Sequence, residues 1–187
     1  MARSIPGTVM QMTEETGGLT PDTIMPFLNL TGGLTLSQVC EITGLEPATI
    51  QNWVKRGFVS SPISKKYSKE QISRILIINS LRDSMQLDRI ALLLSYINGC
   101  LIDTSDDIIS DSELYRHFCR ITLEIASIDT TKRTVILQNI KEAFKNYQGT
   151  EKERLERTLL IMILVYQATV MKRKATELMS EIEAEEV

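Results

Sequence analysis

The chain contains few of the residues from which metal centres are built. Among its 187 residues are three cysteines, at positions 40, 100 and 119, and a single histidine, His117. Zinc sites draw their ligands from closely spaced cysteines and histidines, and no two cysteines here stand two to four residues apart. The sequence therefore predicts neither a metal site nor a bound cofactor. An odd number of scattered cysteines is also typical of proteins in a reducing cytoplasm.

Catalytic constellations are equally scarce. His117 and Cys119 are two residues apart, and side chains at that spacing on a helix do not face each other. The aspartates at 103, 106 and 107 lack the glycine and the terminal glutamate of a calcium-binding loop, and no glycine-rich phosphate loop occurs. These observations argue against an enzyme and favour a binding function.

Long apolar runs are missing as well. The longest, residues 159–166, is far below the ~20 residues that span a bilayer, and residues 1–18 lack the apolar core of a signal peptide. We expect a cytoplasmic protein that does not enter a membrane. With 43% hydrophobic and 24% charged residues, the composition predicts a folded core rather than disorder.

Positive charge is not in excess over the whole chain, whose net charge is -3, but it is unevenly distributed. Residues 34–89 hold eight Lys and Arg against five Asp and Glu, a net of +3. Residues 90–187 hold twelve against sixteen, and residues 1–33 hold one against three. A local excess of this kind is what binding to a phosphate backbone requires.

The same basic segment contains two short helical patterns joined by a glycine. Leu36–Thr43 is predicted to form the first helix, Gly44 the turn, and residues 47–56 the second helix, with Pro47 suited to its first turn. Ile50 and Trp53 have the spacing of a core-facing stripe, and Trp53 is interpreted as core rather than as a contact. This order is typical of a helix-turn-helix, whose second helix enters the DNA major groove.

Residues 34–97 resemble the DNA-binding head of the MerR regulators. The pieces that carry the resemblance are LSQVC (36–40), TGLEP (43–47), TIQ (49–51), GFV (57–59), YS (67–68) and LDRI (87–90). The resemblance implies a winged helix-turn-helix in a transcriptional regulator. MerR heads usually carry arginine where this chain has Gln51, and the sensing of metals or drugs is not carried over.

A longer stretch, residues 27–118, resembles a family of uncharacterised bacterial proteins, a domain of unknown function that carries such a head. The matching pieces are GGLTLSQVCEITGLE, QNWVKRGFV, KKYS, RILIINSLRDSMQL, LLSYING and DDIISDSELY. That family implies a fold but no activity.

The predicted DNA-binding residues lie on the second helix and on a short wing at residues 63–67. Glutamine and asparagine amides can pair with adenine, threonine can touch a thymine methyl or a phosphate, and lysine and arginine neutralise phosphates. The tyrosine is expected to pack against the head with its hydroxyl outward. The full set is Thr49, Gln51, Asn52, Lys55, Arg56, Lys65, Lys66 and Tyr67.

Two alternatives stay open. The helix-turn-helix could serve as a protein-interaction adaptor without sequence-specific DNA binding. Lys55 and Arg56 can also be explained without DNA, because positive side chains at the C-terminal end of a helix interact favourably with the helix dipole. Lys65 and Lys66 could simply form a solvated turn.

The sequence as a whole predicts an all-α protein, in which a MerR-like winged helix-turn-helix is followed by a C-terminal helical bundle. We divide it into a loose N-terminal arm with a short apolar segment (1–33), the head (34–100) and a helical domain (101–187). Further helices are predicted at 69–84, 87–98, 111–127, 130–147 and 150–183. The last is apolar on all sides near residues 159–165, which predicts a homodimer through the C-terminal helices. The sequence indicates no particular effector.

Overall fold

The computed structural model describes residues 3–12, 32–99, 101, 107–127 and 132–185. Within them it is mainly helical, as predicted, with seven helices and two small two-stranded sheets. The strands are β1 (Arg3–Ser4), β2 (Gln11–Met12), β3 (Leu34–Thr35) and β4 (Lys66–Tyr67). The helices are α1 (Leu36–Thr43), α2 (Pro47–Lys55), α3 (Lys69–Leu81), α4 (Leu87–Asn98), α5 (Asp111–Ser127), α6 (Arg133–Ala143) and α7 (Lys152–Glu185).

Two capping boxes fix where helices begin. Before α1, the Thr35 hydroxyl accepts the Gln38 N–H at 3.4 Å, while the Gln38 side-chain oxygen accepts the Thr35 N–H at 3.0 Å. Before α3, Ser68 and Gln71 exchange the same two bonds. The side-chain amide of Gln71 also donates to the backbone carbonyl of Ser60 at 3.0 Å, which fixes the loop before α3.

Several helix ends differ from the prediction. Helix α2 ends at Lys55, and Arg56 is its C-cap. Helix α3 ends at Leu81 rather than at 84, because residues 82–84 turn. Helix α6 covers Arg133–Ala143 rather than 130–147, since Phe144 leaves the helical conformation with φ -110°.

Helix α3 is the centre of the fold. Ten of its 13 residues are buried, so it has protein on nearly every side. It packs against α5 and α7 and also against α1 and α4. One cluster of buried apolar residues therefore extends from Ile5 to Tyr166 and crosses the segment boundaries proposed from the sequence. The division into three domains stays a prediction.

The expectation of a loose N-terminal arm is wrong for residues 3–12. Strands β1 and β2 form an antiparallel hairpin, and Ile5 is 1% exposed. The Tyr115 hydroxyl donates to the Pro6 carbonyl at 2.7 Å, and the side-chain amide of Asn79 donates to the carbonyls of Gly7 (3.0 Å) and Thr43 (3.1 Å). The hairpin is thus tied to α3, α5 and the end of α1. The apolar turn predicted at 21–30 lies outside the described residues.

Helix α7 has two different halves. Up to Val170 it packs against the body, and Leu155, Leu159, Met162 and Tyr166 are buried. From residue 171 to 185 every residue is exposed. Most of the apolar residues that suggested a dimer in the sequence are therefore covered within the chain itself. None of the helices in the described part of the chain combines the length and apolarity that a bilayer span requires.

Candidate nucleic-acid interface

A short, well-fixed turn sets the position of α2 against α1. Gly44 has φ +68°, a left-handed conformation that favours glycine, and a Cβ there would stand 2.6 Å from a methyl carbon of Val9. The Thr43 hydroxyl donates to the Val39 carbonyl at 2.7 Å and accepts the Leu45 N–H at 3.2 Å. These contacts leave the connection between the two helices little freedom.

One side of α2 anchors it in the core. Ile50 is fully buried and Trp53 is 2% exposed, as the spacing of these two residues predicted. The Trp53 carbonyl also accepts the Phe58 N–H at 2.9 Å, which turns the chain sharply after the helix. Arg82 lies over the Trp53 ring at 5.9 Å from its centroid. The helix cannot rotate about its axis without exposing the tryptophan.

The opposite side of α2 presents a polar face to solvent. Ala48, Gln51, Asn52 and Lys55 are exposed and follow one another at spacings of three and four residues, so they form one patch on the helix. None of the four is acidic. Thr49 is half-buried at the edge of this patch. We call Ala48, Gln51, Asn52 and Lys55 the reading face.

A tight turn projects beside this unit. Ile63 and Lys66 pair as a β-bridge, and Ser64 and Lys65 have φ of +51° and +62°. Strand β4 then pairs antiparallel with β3, with Leu34 opposite Tyr67, rather than forming a longer wing. Lys65 and Lys66 are exposed at the turn, as a wing would require.

Tyr67 lies in the core and is 3% exposed, because the β3–β4 pairing turns it inward beside Leu34, which is 4% exposed. Burial, with a contribution from nearby Cys40, raises the pKa of Tyr67. The expected packing of Tyr67 against the head is confirmed. Tyr67 supports the turn from beneath and offers almost no surface to a ligand.

Arg56 is engaged within the protein. Its guanidinium lies 3.5 Å from the Asp88 carboxylate in α4 and stacks over the Phe58 ring at 4.6 Å from the centroid. It is nevertheless 44% exposed, so part of its donor set faces solvent. The exposed ion pair with Asp88 offsets part of the charge of Arg56 and links the C-terminal end of α2 to α4.

Several of the eight cations of residues 34–89 are paired with carboxylates. Arg74 pairs with Asp111 at 3.0 Å, Lys69 lies 3.7 Å from Glu70, and Arg82 lies 3.9 Å from Asp83. In contrast, Lys55, Lys65 and Arg89 have no ion pair among the described residues. These three exposed cations carry charge that remains available to a ligand.

Ala48 and Arg89 are candidate interface residues that the sequence reasoning missed. Ala48 has no polar group to attract attention, but the helical spacing from Gln51 and Asn52 places it on the reading face. Arg89 is in the first turn of α4, next to Asp88, which approaches the end of α2 through Arg56. In the sequence, Arg89 stands out only as part of the LDRI motif at residues 87–90.

Of the Cys–His pair considered for catalysis, Cys119 lies in the core of the bundle and His117 is half-buried. Cys119 is fully buried, and burial raises the pKa of its thiol far above the ordinary value, so it stays protonated. His117 packs against the Phe144 ring at 4.8 Å between centroids. Among the residues that the structure describes, no three His, Cys, Asp or Glu side chains gather as a metal site.

The fold and this face define a mainly α-helical protein with an exposed polar helix on a two-helix unit. Residues 21–118, about half of the chain, match the model of the family described as "Domain of unknown function (DUF1836)", and the chain belongs to that family. It is also similar to the uncharacterized protein YkrK of Bacillus subtilis (strain 168), with 34% identity over 124 residues. That alignment covers 64% of this chain and 51% of the relative, so the chain spans about half of its length. No solved structure matches the chain.

Proposed function

We propose that the chain binds duplex DNA through α2 and acts as a sequence-specific transcriptional regulator of the MerR-like type. The observation that carries the proposal is the reading face. A helix anchored by Ile50 and Trp53 presents two amides, one lysine and a small methyl group, with no acidic side chain among them. This is the arrangement that base readout in the major groove needs.

Each residue of the reading face has a distinct part in this proposal. Gln51 and Asn52 would form bidentate bonds with adenine, and the Ala48 methyl would contact a thymine methyl. Lys55 would neutralise a phosphate near the end of the helix. Ala48 also lets the helix approach the base edges closely, because it has no long side chain.

The turn supplies a second contact region. Lys65 and Lys66 would reach phosphates beside the groove, while Tyr67 only holds the turn in place. Arg56 would contact phosphate solely with the donors that Asp88 leaves open, and Thr49 would contact the backbone at the edge of the patch. The candidate residues outside the reading face would thus contact the DNA backbone, and such contacts position the protein but do not read sequence.

The first test is selection of binding sites from random duplex DNA by the purified full chain. We expect enrichment of a motif rich in A·T pairs at the positions read by Gln51 and Asn52. A two-fold symmetric motif would further support a homodimer as the binding unit. Weak binding with no enriched motif would contradict the proposal.

Substitutions on the reading face separate readout from charge. Gln51→Ala is expected to cost about 1–3 kcal/mol on the preferred site and little on other sequences. Lys55→Ala should weaken binding to all sequences alike and lower the slope of log K against log salt by about one unit. Lys141→Ala, an exposed cation on α6, removes the same charge far along the chain and should change neither. Equal effects of Gln51→Ala on all sequences would refute its assigned part.

Removing a negative charge beside the reading face is expected to strengthen DNA binding rather than weaken it. Glu46 is the exposed N-cap of α2 and makes no side-chain capping bond. Close to phosphates it would be repelled, so Glu46→Gln is expected to strengthen DNA binding roughly two- to ten-fold at low salt. Unchanged or weaker binding, measured by fluorescence anisotropy, would show that α2 does not approach DNA in this orientation.

One observation favours a second function, that of a protein-interaction adaptor. Ile63, at the base of the turn, is 79% exposed, the highest exposure among the large apolar side chains that the structure describes. In an adaptor, Ile63→Ser would abolish partner binding, whereas Gln51→Ala and Lys55→Ala would have no effect. In the DNA-binding protein, Ile63→Ser would leave site selection intact.

A further inference from the structure

Helix α7 carries a second apolar stripe that its own core does not use. Six small or apolar residues recur at alternating intervals of four and three, which is the heptad spacing of a coiled-coil seam. They are Leu164, Ala168, Met171, Ala175, Leu178 and Ile182. We call these six residues the α7 seam. It covers 18 residue steps, or about 27 Å of helix.

The seam faces away from the protein body. All six residues are exposed, including Leu164 at 42%, Leu178 at 60% and Ile182 at 51%. The residues that α7 buries in the core, among them Met162 and Tyr166, lie on its opposite side. Apart from Leu164, the seam therefore lies outside residues 159–165, the segment that suggested a dimer in the sequence.

The outer part of α7 has too little internal support to be stable alone. Every residue from 171 to 185 is exposed, and isolated helices of about 15 residues are marginal in water. Glu181, Glu183 and Glu185 lie near the C-terminus, where negative charge opposes the helix dipole. A helix of this length with an apolar seam is stabilised when a second helix covers the seam.

We propose that the part of the seam from Met171 to Ile182 pairs with the same part of a second copy of this chain, antiparallel, in a two-helix coiled coil. In this arrangement Ala175 packs against Leu178 of the partner subunit, and Met171 packs against Ile182 of the partner subunit. The Ala175–Leu178 layer sets a small side chain against a larger one, so the helices approach closely there. The inference does not depend on DNA binding.

Charge selects both the orientation and the register. The antiparallel register that aligns these layers also brings Lys174 beside Glu181 of the partner subunit, and two-fold symmetry forms this pair twice. A parallel pair would set Lys174 beside Met179 and gain no such bond. An antiparallel pair shifted by one heptad would set Lys172 and Lys174 against their own copies, which repel.

The oligomeric state of the full chain tests the inference. Sedimentation at micromolar concentration should give about twice the chain mass of 21.2 kDa. Leu178→Glu with Ile182→Glu should raise the dissociation constant at least ~100-fold, because four apolar side chains per dimer lose their burial. Thr176→Glu with Ser180→Glu adds the same charge outside the seam and should change it less than ~5-fold.

Two results would contradict dimerisation through the seam. A wild-type monomer, with the seam covered by another segment of this chain or by another protein, would overturn the inference. So would a dimer that the seam variant and the Thr176/Ser180 control leave equally intact. Circular dichroism of each variant at the same concentration checks that the body of the protein stays folded.

A charge exchange tests the orientation. Lys174→Glu and Glu181→Lys are each expected to weaken the dimer about 3- to 10-fold, since each creates two like-charged contacts. The double exchange should restore the wild-type dissociation constant, because the pair is reformed with reversed signs. Additive weakening in the double variant would refute the antiparallel register.

Discussion

Replacing Arg74 by methionine is expected to lower the free energy of unfolding by about 3–5 kcal/mol. Arg74 in α3 pairs with Asp111 of α5 at 3.0 Å, and the two side chains are only 8% and 12% exposed. Its Nε also donates to the Phe58 carbonyl at 2.8 Å. The substitution leaves a buried carboxylate and a buried carbonyl without their partner, which costs more than the pair itself contributes.

The same prediction has a pH dependence. Burial raises the pKa of Asp111, and nearby Glu70 adds to this, while Arg74 and the Asn98 amide lower it. Without Arg74 the folded-state pKa rises further. The folded state then retains a proton that the unfolded state has released, so stability falls as pH rises through this window. The variant's deficit should therefore shrink as pH is lowered towards the ordinary aspartate value of about 3.9.

Two further variants make this test specific. Asp111→Asn in the Arg74→Met background should recover about 1–3 kcal/mol, since it removes the unpaired charge. Arg116→Met breaks an exposed pair with Glu113 on the same helix, where the side chains are 46% and 50% exposed, and should cost at most ~0.5 kcal/mol. If denaturant unfolding showed that Arg74→Met lowers the free energy of unfolding no more than Arg116→Met does, the importance of the buried pair would be refuted.

The helix positions in the fold could be predicted because their signals are local. Gly44 and Pro47 mark the turn and the start of α2, and Ser68 with Gln71 marks the start of α3, all within a few residues of the boundary. Tertiary links could not be predicted in this way. Arg74 and Asp111 are 37 residues apart, and only the folded chain brings them together. Asn79 joins the hairpin at Gly7 to the end of α1 across 72 residues.

The candidate site also contains some features that local sequence patterns predict and others that depend on tertiary contacts. The exposure of Gln51, Asn52 and Lys55 follows from helical periodicity once Trp53 is assigned to the core. The placement of Tyr67 depends instead on a strand pairing with Leu34, more than 30 residues earlier, which no short-range pattern encodes. Local periodicity therefore identifies the reading face, whereas the supporting residues around it require the tertiary structure.

Phe118→Ala is expected to destabilise the whole described fold by about 3–5 kcal/mol, including the distant two-helix unit around Trp53. Phe118 is fully buried in α5 and meets the Tyr166 ring of α7 edge-on at 5.6 Å. Helix α3 joins this region to α1 and α4, so loss of packing on one side of α3 should be felt on the other. Trp53 is the sole tryptophan, and its fluorescence reports on the two-helix unit alone.

The measurement is denaturant unfolding followed by Trp53 fluorescence and, in the same samples, by helical circular dichroism. Coincident transitions that shift together in Phe118→Ala would mean that residues 34–100 and 101–187 unfold as one cooperative unit. Leu92→Ala, a truncation at a side chain that is 68% exposed, should move neither transition by more than ~0.5 kcal/mol. A Trp53 transition unmoved by Phe118→Ala would instead support the two separate domains predicted from the sequence. Because α3 belongs to the first segment, buries ten of its 13 residues and packs against α5 and α7 of the second, we expect a single unit.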